Sequence, residues 1–473
     1  MTLKKKTKKK LSNENPNLTF KKKNGGAKLG QGSYGCVITP PINCLDNQLL
    51  RNHKFENNEK YISKIIDVRH REVAFSELNI GNKIFSIDRK HNYTIPFINS
   101  CYFTPQKHQD IIYLSKDGKN VSSSPDSSRD SNSILSTDSS ESFDIKGSLP
   151  TNILKENRDK CILSKTKEYL NLIGLNAGNN LSYILNLDKN SSKIKFMQKN
   201  YWYLFSYMVH GLYLLHNKNI IHKDIKPSNF VVDFNYQDLN KIKKKESGEI
   251  DTICNKSSSS NCSLPIINNK FRYIDFGLSV IVNRRKYRFN DIGELFNHGT
   301  HYYTPIEIFG LRSLYKLVNH SYDVHDIDFY SLLLLKVNKV FEKNKDHYHF
   351  EGIRNNNFHF KDDIEDKNKN YYITPLKYET ILKRLITLHK NDQIPEMLPM
   401  FLKGWDIYSL GITFAKIAVK CNIIDPEFKN IIFKMIDLNF EKRITINELK
   451  KDPHYIENID NLSYKKNVID LNY

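Results

Sequence analysis

Eight consecutive residues, His222-Lys223-Asp224-Ile225-Lys226-Pro227-Ser228-Asn229, constrain this 473-residue chain more than any other stretch. They place an aspartate, a lysine and an asparagine two, four and seven positions after a histidine. They then run into Phe230-Val231-Val232, an apolar segment that reads as a strand. A carboxylate that accepts a hydroxyl proton, a lysine beside a moving phosphate and an amide that holds a metal are what phosphoryl transfer to an alcohol requires. Further on, Phe271-Arg272-Tyr273-Ile274 reads as a second strand leading into Asp275-Phe276-Gly277.

Upstream, Gly30-Gln31-Gly32-Ser33-Tyr34-Gly35-Cys36-Val37 gives a Gly-x-Gly-x-x-Gly-x-Val run. Glycines there let a hairpin fold tightly over phosphates with its amides exposed. A dinucleotide-binding turn shares the spacing but needs a helix directly after it. Here Val37-Ile38 continues as strand and Pro40-Pro41 forbids that helix. Tyr61-Ile62-Ser63-Lys64-Ile65-Ile66 reads as a strand with one lysine among apolar neighbours. Alone, Lys64 also reads as a solvent-facing residue on the strand's polar face; its order after the glycine run favours a functional role. Met197, Tyr201, Leu204, Phe205, Met208, Leu212 and Leu215 recur every three or four residues, predicting one amphipathic helix that ends just before His222. Trp405 through Ala415, apolar nearly all round, predicts a helix buried in the centre of a helical lobe.

In this order the motifs resemble those of the eukaryotic protein kinase family, over most of the chain's ordered length. The resemblance implies an α+β, bilobal fold: a small lobe of antiparallel β-sheet plus one helix, and a larger, mainly helical lobe. A basic tail would span 1–23, the kinase domain 24–457 and a C-terminal tail 458–473. The smaller lobe would run to residue 173 with an insertion at 115–152, and the larger from 174 with insertions at 235–269 and 311–400. It also implies ATP and Mg2+ as cofactors, and serine or threonine hydroxyls of protein substrates as acceptors. Leu29, Gly30, Gly32, Ser33, Gly35 and Val37 would cover the nucleotide, and Lys64 would grip its α- and β-phosphates. Glu77, with Glu72 as the alternative, would hold that lysine. Asp224 would orient and deprotonate the acceptor hydroxyl, and Lys226 would neutralise the migrating phosphoryl group. Asn229 and Asp275 would hold magnesium. Thr300, in Gly299-Thr300-His301-Tyr302-Tyr303-Thr304, would bond Asp224 and Lys226. Glu307 would form a buried ion pair with Arg443, and Asp406 would brace the loop around Asp224. At the hinge, Ile173 would stand behind the adenine, with Gly174 and Asn176 offering backbone bonds to the base. Lysine at 226 looks like the serine/threonine branch of the family.

Several positions depart from the family pattern. Gly81 stands one turn after Glu77, where an apolar side chain usually packs, and Ile62 replaces a common alanine over the adenine, narrowing the pocket. Pro305-Ile306-Glu307 displaces the usual proline by one residue. Lys223 replaces the arginine before the catalytic aspartate, and no serine or threonine lies between Val280 and Gly299. An arginine fork binds phosphate bidentately whereas lysine is a point charge, so activity independent of phosphorylation in this loop is expected, with Asp291 or Glu294 supplying fixed charge. The rival to an active enzyme is a catalytically silent kinase-like scaffold whose partners dock on the third insertion.

Composition excludes other classes. The longest apolar runs, such as Leu332-Leu333-Leu334-Leu335, are too short to span a bilayer. The basic N-terminus has no apolar segment behind it, so no secretory signal is expected and an intracellular, cytoplasmic protein follows. Seven scattered cysteines at no metal-ligand spacing predict free thiols. The net charge of +20 raises nucleic-acid binding, but lysine, asparagine, isoleucine and tyrosine are abundant together, as AT-rich coding produces. The paired triplets Lys4-Lys5-Lys6 and Lys8-Lys9-Lys10 are open to three readings: a nuclear signal, an anionic-surface or nucleic-acid tether, or a solubilising tail. The style of this composition, with polar interruptions, is similar to kinases of large DNA viruses or AT-rich protists. The serine- and aspartate-rich stretch at 115–152 and the polar stretch at 235–269 predict insertions without regular structure. Apolar clusters in 311–400, such as Tyr378, Ile381, Leu382, Leu385 and Ile386, predict helices within the third.

Overall fold

The computed structural model describes residues 27–31, 35–39, 41–42, 61–103, 111–114, 161–164, 167–233, 270–282, 293–296, 299–300, 303–320, 322–326, 328–343 and 375–464. The basic N-terminal tail, all of the first two predicted insertions, and Gly32 and Ser33 lie outside the described residues.

The smaller lobe is a five-stranded antiparallel sheet in the order β1-β2-β3-β7-β4. Its strands are β1 (Ala27–Gln31), β2 (Gly35–Thr39), β3 (Tyr61–Asp67), β4 (Asn99–Phe103) and β7 (Tyr169–Leu175). A separate parallel pair, β5 (Ile111–Leu114) and β6 (Cys161–Ser164), flanks the first insertion. One helix, α1 (Arg71–Ile87), packs against the lobe. Its buried residues Ala74, Glu77, Ile80, Gly81 and Ile84 recur at helical spacing on one face. Ile80 and Ile84 share an apolar core with the larger lobe. The loop after α1 is tied to that lobe as well. Asp88 accepts the backbone N–H groups of Asn92, Tyr93 and Thr94 at 2.8–2.9 Å. Ile95 N–H bonds to Tyr273 O at 2.9 Å, and Tyr273 N–H bonds to Tyr93 O at 2.8 Å.

The larger lobe begins with β8 (Asn179–Asn180), α2 (Leu181–Leu185), α3 (Ser192–Lys199) and α4 (Tyr201–Asn217). The single helix expected before His222 is thus two. Asn200, at φ −124° and ψ 26°, breaks the run, and its side-chain amide bonds to Phe196 O, so Met197 belongs to the shorter first helix. Two short pairings then frame the motif loop. Strand β9 (Ile220–Ile221) pairs with β12 (Val280–Ile281), and β10 (Phe230–Asp233) with β11 (Lys270–Tyr273). These two ladders bring residues 222–229 against residues 274–279.

Helices α5 (Ile306–Asn319), α6 (Phe329–Lys343) and α7 (Pro375–Lys390) follow, so the third insertion does carry helices. They build a second apolar core through Leu314, Leu333, Leu382 and Leu385. The helix predicted at Trp405 is α8, and it is far longer than expected, Ile394–Lys420. Pro395 sits in its first turn, where a missing N–H costs nothing. Helices α9 (Pro426–Met435), α10 (Ile446–Leu449) and α11 (Pro453–Tyr464) close the lobe. Thr445 and Glu448 form a reciprocal capping box at the start of α10. Helix α11 crosses residue 457, where the sequence reading ended the domain.

The expectation of free thiols is corrected. Cys36 of β2 and Cys161 of β6 form a disulfide across 125 residues, with Cα atoms 6.0 Å apart, within the span a bridge needs. Cys101 is disulfide-bonded too. The spacing rules that predicted thiols read only neighbours in sequence, and sheet packing made this pair. Among the described residues Cys421 is free and buried. None of their helices is long and apolar enough to cross a membrane.

Candidate functional site

A cavity of about 440 Å³ lies between the lobes. That is within the usual range for a small-molecule site. Above it stand Gly35 and Val37 of β2 with Ile62 and Lys64 of β3; below it stand Val231, Ile274 and Asp275; at its rim are Asn176–Asn180 and Tyr183. Leu29 and Gly30 belong to β1.

Lys64 reaches the deep end of the cavity. Its Nζ donates to Glu77 Oε1 and Oε2 at 3.0 and 2.8 Å and to Asp275 Oδ1 at 2.7 Å. Glu77, not Glu72, is therefore the helix carboxylate that meets this lysine. Burial favours loss of the Lys64 proton, but Asp275 and Glu77 outweigh it and hold the ammonium pKa above the ordinary lysine value. Burial likewise pushes Asp275 up, yet the Lys64 ammonium, with His222 and Lys226, holds its carboxyl below the usual range. Asp275 takes a left-handed backbone, φ 62° and ψ 70°, which aims its carboxylate at Lys64.

The motif loop forms the second cluster. Thr300 Oγ1 donates to Asp224 Oδ1 at 2.7 Å and accepts from Lys226 Nζ at 2.8 Å. Lys226 Nζ also lies 2.7 Å from Asp224 Oδ2. Asn229 Nδ2 donates to Asp224 O and Oδ2, each at 2.8 Å. The carboxylate of Asp224 is thus fixed by three side chains, and an acceptor held this way suits the proton of an incoming hydroxyl.

Positioning comes from below. Asp406, fully buried in α8, accepts the backbone N–H groups of His222 and Lys223 at 2.8 Å each and the Nε2–H of His216 at 3.1 Å. Those bonds hold Lys223 at φ 64°, a left-handed conformation costing about 1–3 kcal/mol for a residue with a side chain. His222 Nε2 bonds to Ile274 O at 3.0 Å, and its ring lies 4.9 Å from that of Phe276, linking the loop to the segment that presents Asp275. Sequence reasoning left this linking histidine without a role. The Lys223 side chain is buried over the ring of Trp405, and Arg312 lies over the same ring. Burial and the Arg312 charge, against Asp406, pull the Lys223 pKa down to about 8. Glu307 and Arg443 form a buried bidentate pair at 2.5 and 3.2 Å.

The donor set fits a hard divalent cation. Both amide hydrogens of Asn229 are spent on Asp224, and its Oδ1 accepts only a long 3.5 Å bond from Ser228 Oγ, which leaves a lone pair to take a cation beside the Asp275 carboxylate. Two oxygen ligands completed by phosphate and water are the habit of magnesium.

One hinge assignment is corrected. In the β3–β7 ladder Lys64 pairs with Leu172, Ser63 with Ile173 and Ile62 with Gly174. Opposed residues share a face of the sheet, and Ile62 and Lys64 face the cavity. Gly174 is therefore the residue that borders it, and Ile173 is buried on the other side. Gly174 and Asn176 both line the cavity, as do Leu175 and Ala177 between and after them. Ile95, Pro96 and Phe97, which the sequence reading did not single out, supply the back wall.

A family model described as protein kinase domain matches residues 162–455, well over half of the chain. The matched stretch holds Asp224, Lys226, Asn229, Asp275 and Thr300, while Lys64 and Glu77 come from residues before it. No curated protein matches the chain.

Proposed function

The chain belongs to the protein kinase family, and we propose that it is an active serine/threonine kinase that transfers the γ-phosphate of ATP to protein hydroxyls. The observation that carries this reading is the convergence of two clusters on one cavity. Lys64, Asp275, Lys226 and Asn229 line it, and Glu77, Asp224 and Thr300 stand behind them within hydrogen-bonding reach. A silent scaffold has no need to keep seven polar side chains so arranged.

In this reading the nucleotide base lies between Ile62 and Val231, and its phosphates meet Lys64. Asn229 and Asp275 would hold magnesium, which would offset phosphate charge when bound. Asp224 accepts the proton of the serine or threonine hydroxyl as its oxygen takes the phosphoryl group, and ADP departs. Lys226 sits where it offsets charge on the migrating group, and Thr300 keeps Lys226 and Asp224 in register. The Lys226–Thr300 contact supports the serine/threonine assignment. The buried position of Lys223, turned onto Trp405, supports independence from activation-loop phosphorylation. Incubation with γ-labelled ATP, magnesium and a generic basic protein tests the proposal. Label should appear on serine or threonine and vanish in Lys64→Met and Asp224→Asn. Equal labelling by the wild type and both variants, or none by any of them, rejects it; label on tyrosine rejects the specificity alone.

A further inference from the structure

Behind the base-binding end of the cavity a side chain is missing and another has taken its place. Gly174 faces the cavity from β7, opposite Ile62. A Cβ at 174 would lie 2.9 Å from Phe97 Cδ1 and 3.0 Å from its Cε1, closer than real packing allows. The Phe97 ring therefore occupies the space where a β7 side chain would stand. A second glycine makes this possible. A Cβ on Gly81 would fall on the carbonyl oxygen of Phe97 and crowd Pro96 at 3.3 Å, so α1 admits this loop only because residue 81 has no side chain. The ring is 7% exposed and lies 5.6 Å from Lys64 Nζ. It is held from behind by the Asp88 hydrogen bonds and by the Tyr93–Tyr273 and Ile95–Tyr273 bonds described above.

We propose that Phe97, lent by the α1–β4 loop, sets the size of base this kinase admits, closing the back wall that Gly174 leaves open. The inference rests on the reading of the cavity as an adenine-nucleotide site. An adenine between Ile62 and Val231, with its phosphates at Lys64, turns its amino edge to the end of β7 at Gly174 and Leu175. A bulky group on that amine then meets the Phe97 ring. Adenine nucleotides fit, and N6-enlarged ones are rejected by this one side chain and not by β7 itself.

Competition binding of ATP and N6-benzyl-ATP against a fluorescent nucleotide tests this without requiring turnover. Wild-type protein should prefer ATP by at least about tenfold, and Phe97→Ala should narrow that preference by at least about tenfold. Adding Gly174→Leu to Phe97→Ala refills the space from the opposite wall and should restore the preference, an outcome that mere unfolding cannot produce. If ATP binds but the preference is the same in wild type and Phe97→Ala, or wild type binds both nucleotides equally, the role of Phe97 is overturned while the nucleotide site stands. If wild-type protein binds neither nucleotide, the site reading fails and the proposal fails with it.

Discussion

Replacing Arg443 by methionine removes a cation from the least solvated ion pair in the described residues and keeps most of its aliphatic bulk. The guanidinium donates five hydrogen bonds: two to Glu307, two to Asp437 O and one to Gly404 O. Side-chain exposure is 1% for Arg443 and 0% for Glu307, so water cannot replace what is lost. Breaking such a pair from one side typically costs ~3–5 kcal/mol, chiefly because the remaining carboxylate is left buried and uncompensated. A loss of that size is a large share of the stability of an ordinary domain. Urea denaturation followed by tryptophan fluorescence should show a lower midpoint at unchanged slope in Arg443→Met. Arg443→Met combined with Glu307→Leu removes the orphaned charge, so the double variant should lose less than the two single losses added together. The shortfall should be at least about 1 kcal/mol, since groups in direct contact couple. A loss below about 1 kcal/mol in Arg443→Met, or strict additivity in the double variant, would refute the claim that burial makes this pair costly to break.

Thr300→Ala removes both the donor to Asp224 and the acceptor for Lys226. Label transfer should fall by about tenfold or more with little change in nucleotide affinity, and Thr300→Ser should restore most of it. An unchanged rate in the alanine variant contradicts the positioning role. Lys223 titrates near 8 when folded and in the ordinary lysine range when unfolded, so the unfolded chain binds more protons between those values. Wild-type stability should therefore rise relative to Lys223→Met by about 3 kcal/mol from pH 7 to 10.5. Parallel stability–pH curves for the two proteins argue against a strongly buried ammonium. Asp406→Asn sets an amide nitrogen against backbone N–H donors, and a destabilisation of about 1–3 kcal/mol with lowered transfer should follow; a variant as stable and active as wild type removes the bracing role.

Chemistry carried within a few consecutive residues was legible in the sequence. The loop at 222–229, Asp275, and the lysine on the strand after the glycine run announce themselves through spacing. So did the helices of the third insertion, through their apolar clusters. The hinge register was not legible, because Tyr169–Gly174 is buried on both faces and alternation offers no clue to which residue faces the cavity. The break at Asn200 sits inside an apolar pattern that continues across it, and it shows only in that residue's backbone angles and its side-chain bond to Phe196 O. Phe97 and the Cys36–Cys161 bridge depend on contacts between segments far apart in the chain. Gly81 did signal Phe97 in part: a glycine on the inner face of α1 means that something else comes close, though not what.

Helix α8 meets the reacting residues from several directions at once. Asp406 holds the loop that carries Asp224, Ser409 Oγ donates to Tyr303 O in the segment after Thr300, Lys416 donates to the Tyr303 hydroxyl, and Gly404 O accepts a hydrogen bond from Arg443. The motif loop and the segment after Thr300 are thus both set against a single rod, and chain added between its neighbours changes the outer surface without moving the rod. That is how a protein interrupted by long polar stretches and extra helices keeps Asp224, Lys226 and Thr300 at hydrogen-bonding distance of one another. The same economy sets its weak point: a kink within residues 404–416 would disturb the motif loop and the segment after Thr300 together, whereas loops grafted elsewhere would leave both in place.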